Sequence, residues 1–150
     1  MPPTEKQILG KAGEIFVIRN CDCPKCKHSN TLRLLPPNFK CADVICDFCG
    51  YLAQVRTATS KDVGKLPKTL FGAAWGVQKD RMAAGIYFPL FIVLVKSPKE
   101  YAIYYLPADL QTRSMFLPRN PLSKNARRAG WQGFNYRLAS VAKGGIVRLH

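Results

Sequence analysis

All six cysteines of this chain lie between positions 21 and 49, at Cys21, Cys23, Cys26, Cys41, Cys46 and Cys49. Four of them form two C-x2-C pairs, Cys23-Pro-Lys-Cys26 and Cys46-Asp-Phe-Cys49, with 19 residues between the pairs. Each pair puts two thiolates on one side of a tight turn, and two such turns complete the tetrahedron that zinc prefers. Gly50, directly after Cys49, suits the backbone reversal required there. A shell of four cysteines leaves no position for water, so the expected zinc is structural, and the ribbon occupies residues 21–50. Cys21 and Cys41 are left over as small core residues or as members of a shifted ligand set. His28 is a further candidate ligand beside an already closed shell.

Charge constrains the partner. There are 23 Lys and Arg against 9 Asp and Glu, a formal net charge of +14. After Asp109 no acid occurs, while Arg113, Arg119, Lys124, Arg127, Arg128, Arg137, Lys143 and Arg148 follow. Such a field either keeps a small protein soluble or meets a polyanion, where neutralised phosphates release counterions. The longest apolar run, residues 86–95, contains Pro89 and is half of the roughly 20 residues that cross a bilayer. The first 14 residues have no apolar signal core. A soluble, cytoplasmic protein with no membrane partner is expected, and its cysteines then read as metal ligands rather than disulfides. The length of 150 residues fits one domain, 1–150.

The coarse pattern is helix, strands, helix, strands. Thr4 with Gln7 forms a capping-box signature, and Ile8, Leu9, Ala12, Ile15 and Phe16 recur at helical spacing, which predicts a helix over 5–18. A strand is expected over 51–57 and a second helix over 68–84. In that helix Leu70, Ala74 and Val77 form one row, and Phe71, Trp75 and Met82 the next, interrupted by Gln78. Residues 86–95 read as a buried strand, 97–100 as a turn, 101–106 as its hairpin partner and 145–149 as a last strand. The fold class is α/β with an inserted zinc ribbon.

With two histidines, no G-x-S-x-G and no Walker loop, histidine-driven hydrolysis and nucleotide hydrolysis have no machinery here. One constellation does suggest chemistry. Asp43 enters the second cysteine turn, while Gln54 and Arg56 sit on one face of the strand that leaves it, because side chains alternate. An acid followed by acid-x-Lys on the next strand is the arrangement by which metal-dependent nucleases hold Mg²⁺ at a phosphate. Here an amide and a guanidinium stand at the last two positions. The same residues also read as ordinary strand-surface side chains.

The chain resembles the catalytic domain of the DpnI-type methyl-directed restriction endonucleases, which belong to the PD-(D/E)XK superfamily and carry an inserted zinc site. The resemblance rests on Cys23-Pro-Lys-Cys26, on Ala42-Asp-Val-Ile-Cys-Asp-Phe-Cys49 and on Ala126-Arg-Arg-Ala-Gly-Trp-Gln-Gly133 with its Pro121-Leu122 lead-in. It spans roughly residues 20–145. It implies a PD-(D/E)XK core, a mixed sheet flanked by helices, with structural Zn²⁺ on Cys23, Cys26, Cys46 and Cys49. It further implies Mg²⁺-dependent cleavage of phosphodiester bonds in double-stranded DNA, with sensitivity to adenine methylation. Carried over by position, the first metal-binding Asp falls on Asp43, the second acid on Gln54 and the catalytic Lys on Arg56. Some relatives in the superfamily carry Gln at the second position, with the amide oxygen facing the metal. Arginine cannot shuttle a proton, but it can stabilise charge on the phosphorane. Glu14, in Lys11-Ala-Gly-Glu14, is either an added carboxylate for the metal, as in some relatives, or a solvated helix acid.

The enzymes that the chain resembles continue into a winged-helix domain, which is not expected in this chain. Specificity would then come from the nuclease-like domain, a homodimer or a separate specificity subunit. Arg127, Arg128 and Trp131 are the candidate DNA contacts, arginines for phosphates or a guanine edge and an indole for stacking; Trp131 alternatively closes the core. Two functions follow: a DpnI-like endonuclease, or a catalytically weakened nuclease-fold zinc protein that serves as a DNA-binding module. A zinc-ribbon RNA-binding protein would account for the charge but not for the spacing of Asp43.

Overall fold

The computed structural model describes residues 2–37, 39 and 41–150, a mixed α/β chain. In chain order its elements are α1 (Glu5–Asn20), β1 (Leu32–Leu34), β2 (Val44–Cys46), β3 (Leu52–Thr59), β4 (Thr69–Ala74), α2 (Trp75–Ala83), β5 (Leu90–Ser97), β6 (Glu100–Leu106), β7 (Phe116–Pro118), β8 (Gly133–Arg137) and β9 (Val147–Arg148), with short 3-10 turns between the later strands. The chain divides into two compact units. The first comprises Met1–Lys65, Phe88–Ala108 and Ile146–His150, and the second Leu66–Tyr87 and Asp109–Gly145.

The first unit is one sheet, ordered β1-β2-β3-β5-β6-β9, with α1 packed on it. The expected capping box starts the helix. The Thr4 hydroxyl accepts from the Gln7 amide at 3.3 Å, and the Gln7 side chain accepts from the Thr4 amide at 2.8 Å, so two orphan donors are satisfied. β3 and β5 run parallel, with Val55 beside Phe91, and the intervening residues supply the long connection that a parallel pair requires. β5 and β6 form the predicted hairpin, with Ile92 opposite Tyr104. Val17, Leu32, Val44, Ala53, Val55, Phe91, Val93 and Ile103 make one buried cluster, to which Cys21, Cys23 and Cys46 also belong. Burial of a side chain the size of Leu or Phe contributes about 1.5–3 kcal/mol, so this cluster anchors the helix, the ribbon and the central strands together.

The second unit is the three-stranded antiparallel sheet β4-β8-β7 with α2 beside β4. Its inner face is aromatic: Phe116, Phe134 and Tyr136 contact one another with ring centroids 5.0–5.6 Å apart. Here the structure corrects the helix expected over 68–84. Only Trp75–Ala83 is helical, and Thr69–Ala74 is a strand paired with β8. Leu70 and Phe71, assigned to adjacent rows of one helix, point to opposite faces of the sheet; Leu70 is buried and Phe71 is 62% exposed. In the helix Gln78 is buried and Val77 exposed, the reverse of the expected rows. Gly72 leaves room for the ring of Phe134, which a Cβ there would overlap, and the β4–β8 register shifts between Phe71 and Ala74.

Candidate functional site

The cysteine turns are built alike. The carbonyl of Cys23 accepts from the Lys27 amide at 2.9 Å, and the carbonyl of Cys46 accepts from the Gly50 amide at 2.8 Å. The residue after the second cysteine of each turn is left-handed, Lys27 at φ 66° and Gly50 at φ 79°. The β1–β2 pairing sets Leu32 opposite Cys46 and so returns the second turn to the first. As a result the Sγ atoms of Cys23, Cys26, Cys46 and Cys49 lie within 4.8 Å of one another. A tetrahedral zinc with bonds near 2.3 Å needs sulfurs about 3.8 Å apart. The Cys23–Cys49 and Cys26–Cys46 separations are 3.6 and 3.7 Å. Four cysteines at that spacing fit zinc.

The remaining candidates for this site fall elsewhere. Cys21 is buried in the core, and burial pushes its thiol up to about 11, which makes it inert. Cys41 is half-buried, and its carbonyl accepts from the Gln54 side-chain amide at 3.1 Å. The ring of His28 stacks on exposed Phe48 at 4.0 Å instead of joining the sulfurs.

Asp43 and the strand pair do meet. β2 pairs with β3 in the register Val44 to Ala53, so the residue before β2 lies beside Gln54 and Val55. Asp43 Oδ2 accepts from the Val55 amide at 2.8 Å and from Arg56 Nη1 at 3.3 Å. Arg56 also donates to the Val55 carbonyl at 2.9 Å, while its Nε is buried without a partner among the described residues. Gln54 is 6% exposed and is tied to the Cys41 carbonyl. Asp43 and Arg56 are thus brought together directly, while the buried side chain of Gln54, two residues before Arg56 on β3, is turned to the Cys41 carbonyl.

Glu14, left open between a metal carboxylate and a solvated acid, joins this group. It and Asp43 both line a cleft of about 480 Å³ whose wall also includes Lys11, Gln7 and Leu35. Burial, followed by the Asp43 carboxylate, raises the pKa of Glu14; Lys11 and Arg56 act in the opposite sense. Two half-buried carboxylates therefore line one cleft, and one of them, Asp43, is paired with the Arg56 guanidinium. The sequence signal was Gly13 beside Glu14. A glycine inside a helix pattern marks a close approach, and here a Cβ would overlap the side chain of Thr57, one residue beyond Arg56.

In the second unit the Arg127–Trp131 segment is an ordered loop. The Leu122 amide donates to the Trp131 carbonyl at 2.9 Å, and the Gly130 amide donates to the Leu122 carbonyl at 3.0 Å, which closes the neck. Gly130, at φ 78°, supplies the turn. Arg127 and Arg128 are exposed, and the Arg128 guanidinium lies 4.8 Å from the indole of half-buried Trp131. The Trp131 ring in turn sits against Gly133, where a Cβ would come within 2.9 Å of it. No described helix is long and apolar enough to cross a membrane. The sequence model of the family described as "DpnI: Dam-replacing family" matches residues 4–149.

Proposed function

The chain belongs to the DpnI: Dam-replacing family, and from that membership we propose that it is a zinc-containing, divalent-metal-dependent endonuclease of the PD-(D/E)XK kind, acting on double-stranded DNA with a response to adenine methylation. One observation carries the reading: Asp43 and Glu14 share the wall of one cleft of about 480 Å³, and Arg56 is paired with Asp43 at 3.3 Å.

The donors of this group are two carboxylates with a nearby amide, a hard-oxygen set that fits Mg²⁺. Asp43 and Glu14 would hold the ion, with the Gln54 amide as the third candidate oxygen. When bound, such an ion polarises the phosphate and lowers the pKa of water. The chain's own residues do the rest. Arg56 holds positive charge at every working pH and offsets charge that develops on the phosphate, but it moves no proton. Lys11 contributes an ammonium to the same wall, one helical step from Glu14. Arg127, Arg128 and Trp131 contact the duplex, phosphates through the arginines and a base step through the indole.

The Asp43–Arg56 ion pair favours a second reading. A guanidinium already on Asp43 competes with a metal ion, which would leave a DNA-binding module with weak or no cleavage. The deciding experiment is cleavage of one plasmid, adenine-methylated and unmethylated, with Mg²⁺ or Mn²⁺ and with EDTA. Metal-dependent cutting that Asp43→Ala abolishes supports the nuclease. A plasmid that is retarded on a gel but never cut supports the binding module.

A further inference from the structure

The outer face of the β4-β8-β7 sheet has no role in the cleft or in the cysteine site. Pairing sets Phe71 opposite Asn135, and Leu117 opposite Asn135 from the other side, so the three form one row across the sheet. The next row in one direction is Thr69 and Arg137. Phe71 is 62% exposed and Leu117 38%, whereas Leu70, Phe134, Tyr136 and Phe116 on the opposite face are at most 5% exposed. Two exposed apolar side chains thus flank Asn135 on one face of the sheet, and an exposed aromatic ring in such a setting offers a contact surface.

Charge indicates which partner. The second unit holds ten Lys and Arg against two acids, Asp80 on α2 and Asp109. The face itself has no acid. Arg119, just past β7, extends its guanidinium across β8 to within 4.6 Å of the Phe71 ring centroid. Its amide continues the ladder by donating to the Gly133 carbonyl at 2.9 Å. Residues 133, 135 and 137 share a face, and the Trp131 indole lies against Gly133 there, so the row of Phe71 runs on to the Arg128–Trp131 stack. Aromatic rings and arginine planes on an open antiparallel sheet form a surface on which unpaired bases stack while cations meet the phosphates.

We propose that this face binds single-stranded nucleic acid, with an unpaired base on the uncovered side of Phe71 and with Arg119 and Arg137 on the flanking phosphates. The proposal deepens the nucleic-acid reading above and rests on it only for the class of partner; it requires no cleavage.

The test is the affinity of the full chain for a fluorescein-labelled oligothymidylate of about 12 nucleotides, read by anisotropy. Phe71→Ala and Phe71→Leu are each expected to weaken binding about tenfold, because each removes the ring on which a base stacks. Leucine keeps the apolar area and loses the ring, and at an exposed position neither change disturbs folding. Arg119→Ala should lower the salt slope by about one. Affinity for a duplex should stay within about twofold of the parent chain in the Phe71 variants, since a paired base offers no free face. Oligothymidylate binding unchanged in Phe71→Leu overturns the proposal, and so does a Phe71 effect confined to self-association, which would assign the face to a second copy. If the plasmid is cut but the Phe71 variants bind oligothymidylate normally, this face fails and the nuclease stands. If Phe71→Ala loses oligothymidylate and no metal supports cutting, the face stands and the nuclease fails.

Discussion

Gly13 of α1 and Thr57 of β3 touch where no side chain separates the helix from the strand, and a Cβ on residue 13 would overlap the threonine. The contact brings Glu14, the next residue, into the electrostatic reach of Asp43 and Arg56. Gly13→Ala is expected to cost about 1–3 kcal/mol by overpacking, read from the urea midpoint. Thr57→Ala in the same chain should recover part of that loss, because it removes the hydroxyl and methyl that the new Cβ meets. Strict additivity of the two changes would show that they do not share a contact.

Glu14 makes the pH dependence specific. Its pKa is higher in the folded chain than in the unfolded one, first through burial and then through Asp43. The folded state therefore binds this proton more tightly, and stability from this group is fully present below the unfolded pKa and is lost as pH rises through the folded value. Glu14→Gln should remove that slope, which sets in above the ordinary carboxylate pKa, and raise stability at neutral pH. The same change should weaken Mn²⁺ binding measured by calorimetry. A variant that keeps both the acid-side slope and the metal affinity would make Glu14 an ordinary helix acid.

The features legible in the sequence were those whose partners are close along the chain. Thr4 and Gln7, the two cysteine turns, the β5–β6 hairpin and the Asp43–Arg56 meeting are all set by local spacing or by one intervening turn. Thr69–Ala74 was misread because its helical row was a coincidence of Leu70, Ala74 and Val77, while the strand that holds it, β8, lies far along the chain in a segment dominated by Pro, Gly and Arg. β1 and β2 are three residues each, too short for a period to register. Glu14 was visible, but its company was not, since the approach of α1 to β3 at Gly13 is a tertiary fact.

Arg56 is the position where a single change separates the two functions. Arg56→Lys restores a group that can exchange protons, and plasmid cutting should rise at least about tenfold, within the range general acid–base catalysis supplies. Arg56→Ala should leave Asp43 and Glu14 without their shared cation and push the pKa of Glu14 higher still, observable by NMR titration. If both variants cut at the parent rate, residue 56 has no part in catalysis.

Arg127 and Arg128 stand on the closed loop with no acid nearby in sequence. Replacement of both by Ala should lower duplex affinity and reduce the salt slope by close to two, one per phosphate contact. Trp131→Ala should instead alter affinity with little change of slope, since an indole releases no counterion. An unchanged slope in the double variant would make these arginines ordinary surface.

The cysteine turns predict their own energetics. With four sulfurs spaced for zinc inside a cluster that includes Val17, Leu32 and Val44, a strong chelator should unfold the first unit rather than merely strip it. Elemental analysis should give one zinc per chain, and none would end the assignment. The two turns also differ in a way that can be measured. Lys27 carries a side chain at φ 66°, where Gly50 at φ 79° carries none. Lys27→Gly should relieve left-handed strain and leave the zinc-loaded chain more stable by about 0.5 kcal/mol, whereas Gly50→Ala should cost about 1 kcal/mol. If the two changes moved stability in the same direction, the turns would not share one backbone design.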